Sequence, residues 1–491
     1  MMPTEIINVT PEKLLNVVTE LITVKHLSLK LITASDDKIW YVFGEVILCL
    51  SIADNQHFPS LSKLLPAASY YERKLLTFFG LKADGLADQR QLILHDNWPT
   101  DKFPLRKDFN WQTRPDNVTA GQYEFTTLPE EGIYEIPVGP IHAGIIEPGH
   151  FRFSVMGEAI RLLEPKLGYT HKGSEKLFEQ LPLDKTISLA EKISGDSSFS
   201  HALAYCLALE QLSDTTPPNR ANYLRVIYAE LERLANHFGD IGAIMLDTGY
   251  NFGGAHGARL RERIMQINQR LTGNRFLRGV NICGGVTQDI TSAAAKLLRV
   301  ELVDIKQDFM EVLAIAKGSG TLLNRLTGTG KITQEIVLRC GATGVAAKAT
   351  GIAHDVRIDF PYAAYTEIKL PTIATEQSGD VYARFYVRVK EVFTALELID
   401  QALKALPTGS IKQKVGALKN NSVATALVEG WRGEILYFVT TDKTGTLSRV
   451  APQDPSFINW TLLSHAGLHN MVPDFPLINK SFNLSYTGYD L

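Results

Sequence analysis

Apolar and polar positions change period along the chain, and the changes divide it. A Thr10-Pro11 start followed by apolar residues on one helical face predicts a helix through Thr23. The runs LSLKLIT, KIWYVF and VILCLSI come next, rich in β-branched and aromatic residues, and predict strands. From residue 110 to 126 the pattern turns polar, with Asn, Gln and Thr, which marks a linker and a boundary near 115. Between Gly132 and Tyr169, IPVGPIHAGIIEPGH is punctuated by proline and glycine and FRFSVMG alternates, so a small sheet with a polar loop is predicted.

Beyond Gly173 helical spacing dominates. Leu224, Ile227, Leu231, Leu234 and Phe238 repeat at three and four, as do Leu260, Ile264, Ile267 and Leu271 before Gly273. Longer patterns run from 289 to 317 and from 380 to 406, the second stopped by Pro407. After residue 430, GEILYFVTTD and TGTLSRVAP predict a hairpin around Asp442 to Gly445, and the tail reads as mostly irregular. The expected fold is α+β: a small N-terminal α/β domain over 1–115, then over 116–491 a small antiparallel sheet with a large helical bundle.

Composition narrows the chemistry. The chain has 491 residues, 45% hydrophobic, enough for substantial cores, and its net charge of −3 forms no basic stripe, which argues against nucleic acid as a partner. Cys49, Cys206, Cys283 and Cys340 lie far apart, at no metal-ligand spacing, so neither a disulfide framework nor a cysteine-rich metal site is expected. No apolar run reaches the roughly 20 residues that span a bilayer, and the run from Ile39 is interrupted by Glu45. Nothing at the start resembles a secretory leader. A cytosolic location is expected, with membrane attachment only through partners.

Residues 190–205 read AEKISGDSSFSHALAY, with Ser194, Ser197 and His201 suited at first sight to nucleophile and base. The nucleophile elbow requires G-x-S-x-G, and Gly195-Asp196-Ser197-Ser198-Phe199 lacks the second glycine. LTGTGKIT near Gly330 has neither the earlier glycine nor the hydroxyl, Ile332 standing in its place, that a phosphate loop needs. Neither hydrolase nor nucleotide-binding chemistry follows.

Longer segments explain more. FPSLSKLLPAASYYERKLLTFFGL and WPTDKFPLRKDF, with Glu72, Arg73, Phe79, Gly80 and Pro104 to Asp108, resemble the C-type component of respiratory complex I, Lys74 and Thr77 departing from its acidic residues. GPIHAGIIEPGHFRF, YTHKGSEKL, ELERLANH, LTGNRF, GGVTQD, GIAHDVR and VPDFPLIN resemble, in order, the catalytic subunit of energy-converting nickel-iron hydrogenases and its relative, the D-type component of complex I. In the hydrogenases two C-x-x-C pairs hold the metals through thiolates, which soft metals prefer. The resemblance puts those positions on Ser194 and Ser197, and on Ser485 and Gly488. Serine hydroxyls stay protonated and donate weakly, and glycine offers no ligand. The expectation is therefore a chain that binds no metal or other cofactor itself.

The same resemblance assigns roles. Glu147 matches a proton-carrying carboxylate, expected in a half-buried loop where burial would raise its pKa. His142 matches the histidine near a quinone headgroup, and Asp247 the aspartate that hydrogen-bonds it. With His201 these form the expected catalytic set; His142, His150, Asp355 and Arg357 are the expected lining of a quinone site or of the former metal cavity. A local structural role is the alternative for each, and it is the favoured one for Glu230, Arg233 and His237, which share a helix face. Lys172 faces either the partner or the cavity. The quinone-gripping tyrosine falls on Leu183 and a second histidine on Ile146, which argues against quinone reduction here.

The function implied is that of a large peripheral-arm subunit of a membrane-bound, complex I-like oxidoreductase lacking nickel and iron. It would sit on the cytoplasmic side of the inner membrane. Its implied partners are a small iron-sulfur subunit with a 4Fe-4S cluster, other peripheral-arm subunits and antiporter-like membrane subunits, with electron transfer at that cluster coupled to ion translocation. The alternatives are the quinone-site subunit of an NADH-quinone oxidoreductase and an assembly scaffold without chemistry.

Overall fold

The computed structural model describes residues 5–35, 37–52, 56–119, 121, 123–143 and 146–491. The predicted first helix, Pro11–Thr23, buries Leu14, Val18 and Leu21, one face at spacings of four and three. The three predicted strands are Leu31–Ser35, Lys38–Phe43 and Val46–Ser51, and they join Glu5–Val9 in a four-stranded sheet. Glu5–Val9 pairs in parallel with Val46–Ser51, and the other pairings are antiparallel. The YYERKLLTFF segment is a helix, Ala68–Phe79, that ends at Gly80 with φ of 74°. A side chain at Gly80 would strike the Phe103 ring, 2.7 Å from where its Cβ would stand.

The region from Gly132 forms the expected antiparallel sheet, with His150–Met156 between Ile133–Val138 and Ala159–Lys166. The bundle is built on Asn219–Asp247, flanked by Asn251–Thr272 and Val381–Ala405. Gly242 and Gly257 meet where the first two cross, and a Cβ on Gly257 would lie 2.4 Å from the Gly242 Cα, so the backbones approach because neither residue has a side chain. Helix Ser292–Lys317 completes the predicted set.

Two expectations need correction. The predicted hairpin, Glu434–Thr441 with Leu447–Gln453, has a third strand, Val423–Glu429, on its other edge. The tail expected to be irregular carries three helices, Pro455–Ala466, Phe475–Phe482 and Tyr486–Asp490. The first is buried almost all round, so no polar face gives it a readable period. The architecture is α+β, as expected. Among the described residues no helix is long and apolar enough to cross a membrane.

Candidate functional site

The site grows from a two-residue turn. Gly430 N donates to Gly433 O at 2.8 Å and Gly433 N to Gly430 O at 3.1 Å, closing the hairpin between Val423–Glu429 and Glu434–Thr441 around Trp431 and Arg432. Trp431 is buried and donates from Nε1 to Asp196 O. The Arg432 guanidinium stacks 3.9 Å from the Trp431 ring centroid. It grips Asp196 bidentately, at 2.6 Å from Nη1 and 2.7 Å from Nη2, and its Nε donates to Asn483 O.

That guanidinium lies among the four resemblance-assigned positions. Its Nη1 reaches Ser194 Oγ at 3.3 Å and Ser197 Oγ at 3.4 Å. Ser194 Oγ is 2.9 Å from Ser485 Oγ, which accepts from Gly488 N at 2.9 Å. Residues almost 300 positions apart in sequence thus share one cluster. Asp454 closes it on the Gly488 side, where a Cβ would stand 2.6 Å from the carboxylate carbon. One Asp454 oxygen caps helix Pro455–Ala466 through Ser456 N and the other meets His201 Nε2 at 3.0 Å. Burial pushes the Asp454 pKa up, but His201 and Arg432 outweigh it and hold the group below its usual value. Burial likewise opposes Asp196, and Arg432 wins there too.

A thiolate-held bimetallic centre needs soft anionic donors and room beside them. Three hydroxyls, a glycine and a cation already hydrogen-bonded to two of the hydroxyls do not fit it.

The other predicted residues lie around this cluster or away from it. His201 is wholly buried on helix Ser198–Leu212, with Nδ1 3.1 Å from the Tyr437 hydroxyl. Glu147 is exposed rather than half-buried, because its loop lies on the outside of this chain, and its Oε2 accepts from Thr487 N at 3.3 Å. Lys172 donates to Lys192 O and Ile193 O, so it turns toward the stretch of chain that enters the serine cluster. His142 spends Nε2 on Gly149 O at 2.7 Å, within its own loop. Asp247 is exposed at a helix end where Lys480 is the charge acting on it, and among the described residues no hydrogen bond joins it to His142. His150 is buried against Phe125, and burial lowers its pKa. Leu183 is 43% exposed and Ile146 46% exposed, outside the cluster.

Comparison with known proteins places this arrangement in a family. A family model described as respiratory-chain NADH dehydrogenase, 49 Kd subunit, matches residues 247–423, and one described as the 30 Kd subunit matches residues 7–115. Formate hydrogenlyase subunit 5 of Escherichia coli is 32% identical over 442 residues, 89% of this chain and 78% of that relative. Hydrogenase-4 component G of the same organism is 33% identical over 458 residues, covering 92% and 79%. The chain belongs to the family that joins these hydrogenase components to complex I. The C/D subunit of NADH-quinone oxidoreductase from Phocaeicola vulgatus is 29% identical over 400 residues, covering 78% and 76%. The relatives' names are those of parts of multisubunit oxidoreductases, and both the fused C/D organisation and the hydrogenase likeness follow.

Within this family frame, Asp355 and Arg357 do not line the serine cluster. They belong to a second, closed cluster with Glu230, Arg233 and His237, the residues of that helix face. Arg357 pairs with Asp355 at 2.8 Å and with Glu230 at 2.9 Å, and Arg233 with Glu230 at 3.1 Å. His237 Nε2 is 2.7 Å from Glu391 Oε2. Lys348 Nζ binds Asp355, Glu391 and Glu429 at 2.8, 2.7 and 3.0 Å. Sequence reading missed Lys348, Glu391 and Glu429 here, and Arg432, Asp196 and Asp454 in the first cluster. The available signal was a set of lone charges inside apolar runs, such as Glu429 after ATALV and Arg432 between Trp431 and Gly433.

Proposed function

We propose that the chain is the large peripheral-arm subunit of a membrane-bound, complex I-like oxidoreductase that works without a nickel-iron centre. One observation carries the reading: the Arg432 guanidinium donates to Ser194 and Ser197 and is neutralised by Asp196, so a cation occupies the focus on which metal ligands would converge. Electrons would pass at the 4Fe-4S cluster of a partner small subunit, and ions through antiporter-like membrane subunits, on the cytoplasmic face of the inner membrane. The names of the relatives support a multisubunit setting.

The serines themselves supply a route for protons. Thr487 Oγ1 lies 3.3 Å from Ser485 Oγ, Ser485 Oγ 2.9 Å from Ser194 Oγ, and Ser194 Oγ donates to Asp196 at 2.9 Å. Each hydroxyl both donates and accepts, so the row is able to pass a proton by reorientation. Glu147, held by the Thr487 amide, stands at its outer end. In this reading Glu147 exchanges protons with the partner interface, the hydroxyl row carries them inward, and the Arg432–Asp196 pair ends the row. His201 holds Asp454 and thereby the wall next to Gly488. His142, in the loop that also carries Glu147, is proposed to act with Asp247 and His150 at the face turned to the partner.

The quinone-site reading is supported by the C/D relatives and by the 49 Kd match, and Leu183 and Ile146 weigh against it. Metal analysis of the purified complex separates the readings about the centre: nickel well below one equivalent is expected, and stoichiometric nickel overturns the proposal. Glu147→Gln is expected to lower turnover of the complex at least tenfold, the scale of a lost proton-transfer group. Unchanged turnover would favour the scaffold.

A further inference from the structure

Eight ionisable side chains meet between helices Asn219–Asp247 and Val381–Ala405 and strand Val423–Glu429, and their charges do not balance. Glu230, Asp355, Glu391 and Glu429 are acids, Arg233, Lys348 and Arg357 are cations, His237 is the eighth, and all are buried. With His237 neutral and each acid ionised, one negative charge lacks a counter-charge. An enclosed charge of that kind is costly, so the cluster holds one further proton.

The contacts distinguish the acids. Asp355 receives Arg357 through both Nε and Nη2, and Lys348 as well. Glu230 receives Arg357, Arg233 and the Tyr365 hydroxyl. Glu391 receives Lys348, Arg233 and His237. Among the described residues Glu429 meets one cation, Lys348, at 3.0 Å, the longest of that ammonium's three contacts, and its other oxygen meets only the Val356 amide. We propose that Glu429 is the proton-storing group of this cluster, a neutral carboxyl whose proton exchanges with solvent.

The remaining surroundings agree. Burial and the charge of Asp355 raise the Glu429 pKa, against Lys348, Arg357 and Arg233. Burial lowers that of His237, which also feels Arg233 and Arg388; its Nδ1 has no partner among the described residues, and its ring stands edge-on to Trp431. Arg388 itself is paired with Asp240. Tyr362 takes up the Glu429 amide rather than its carboxyl. Across the strand pair Glu429 faces Glu434, whose carboxylate binds Lys30 and His354, with Asp359 on the far side of that imidazole. Lys30, His354 and Glu434 line a cavity of about 230 Å³ together with Tyr71 and Ile352. This is the side from which a proton reaches Glu429, and the only bond made or broken in exchange is its O–H. Glu429 also directly precedes the Gly430–Gly433 turn, so the stored proton changes the field on Arg432. The inference holds whichever way the serine cluster is used.

Infrared spectra of the purified protein in its complex test it. Near neutral pH the wild-type spectrum minus that of Glu429→Gln is expected to show a carboxylic C=O band that shifts in D2O, apart from the Glu232 carboxyl that both proteins keep, and the wild-type spectrum minus that of Glu391→Gln is expected to show none. The Glu429→Gln protein, having lost no charge, is expected to keep its melting temperature, while Glu391→Gln melts several degrees lower. No such band in the wild-type minus Glu429→Gln difference, the same band in wild type minus Glu391→Gln, or an equal loss of melting temperature in both variants would overturn the proposal. So would an imidazolium signal from His237 in histidine-labelled protein at neutral pH.

Discussion

At the residue scale, Gly488 and Arg432 decide what the serine cluster holds. A methyl group on Gly488 would press into Asp454, which cannot move without releasing His201 and the cap of helix Pro455–Ala466. Gly488→Ala is therefore expected to destabilise the protein by about 1–3 kcal/mol, the cost of overpacking a filled interior, read as a lower melting temperature. By the same contact, replacing Ser194, Ser197, Ser485 and Gly488 together by cysteine is expected to bind no nickel, because the fourth thiol has no space while Asp454 is present. Metal analysis of that variant checks it. Arg432→Ala strips Asp196 of its cation and leaves two serine hydroxyls without their donor. The expected loss is about 2 kcal/mol, below that of a wholly enclosed pair, because the Asp196 side chain is 34% exposed. The sequence shows Arg432 as a lone charge between tryptophan and glycine but not its partners, and only the fold brings it to residues 194, 196 and 197.

At the scale of elements, legibility followed the presence of a polar face. Helices Pro11–Thr23 and Asn251–Thr272 each bury one side, so their apolar residues recur at three and four, and Pro11 and Gly273 mark their ends. Helix Pro455–Ala466 and strand Val423–Glu429 are buried on all sides, and no alternation survives to announce them. Helix Ser198–Leu212 shows how an enclosed element is held instead. Glu232 reaches from the neighbouring helix to its first turn, accepting from Phe199 N at 2.7 Å and Ser200 N at 3.1 Å. Burial raises that carboxyl to about 7, against the pull of these hydrogen bonds. A carboxyl whose folded pKa is raised costs stability as pH climbs from its unfolded value toward the folded one. The helix start is thus expected to be firmest in mild acid and to loosen between about pH 4.5 and 7. Hydrogen exchange of the Phe199 and Ser200 amides measures this, and Glu232→Ala should speed it at every pH. Exchange that slows as pH rises, after correction for the intrinsic rate, would contradict the argument.

At the scale of the whole molecule, the N-terminal unit is tied to the rest by buried charge as well as by packing. Lys74 meets Glu175 at 2.8 Å, Arg449 meets Glu175 at 2.7 Å while donating to Thr33, and Lys30 meets Glu434 at 2.7 Å. The polar stretch after residue 110 suggests a boundary in the sequence, but contacts across it join residues hundreds of positions apart, which no local pattern carries. Glu434 makes the junction sensitive to acid. Burial pushes its pKa up, yet Lys30 and His354 prevail and bring it down to about 2. A depressed carboxylate stabilises the folded state above its unfolded pKa and loses that contribution as pH falls through the folded value. His354 has the opposite sign: burial pulls it down, but Glu434 raises it above the ordinary imidazole value, so its contribution is present in acid and lost as pH rises past that raised pKa. The junction is therefore expected to be strongest from about pH 4.5 to 6.5, weakening toward pH 2 as Glu434 takes its proton and again above that window as pH rises through the raised pKa of His354. Glu434→Gln should flatten the acid limb of a plot of melting temperature against pH and remove on the order of 3 kcal/mol at neutral pH. His354→Gln should flatten the limb at higher pH and, by removing one of the two groups that depress Glu434, shrink the acid limb as well. If both limbs persist in the double variant, the junction's pH response resides elsewhere, and the chain of charge from Lys30 to Glu434 is packing alone.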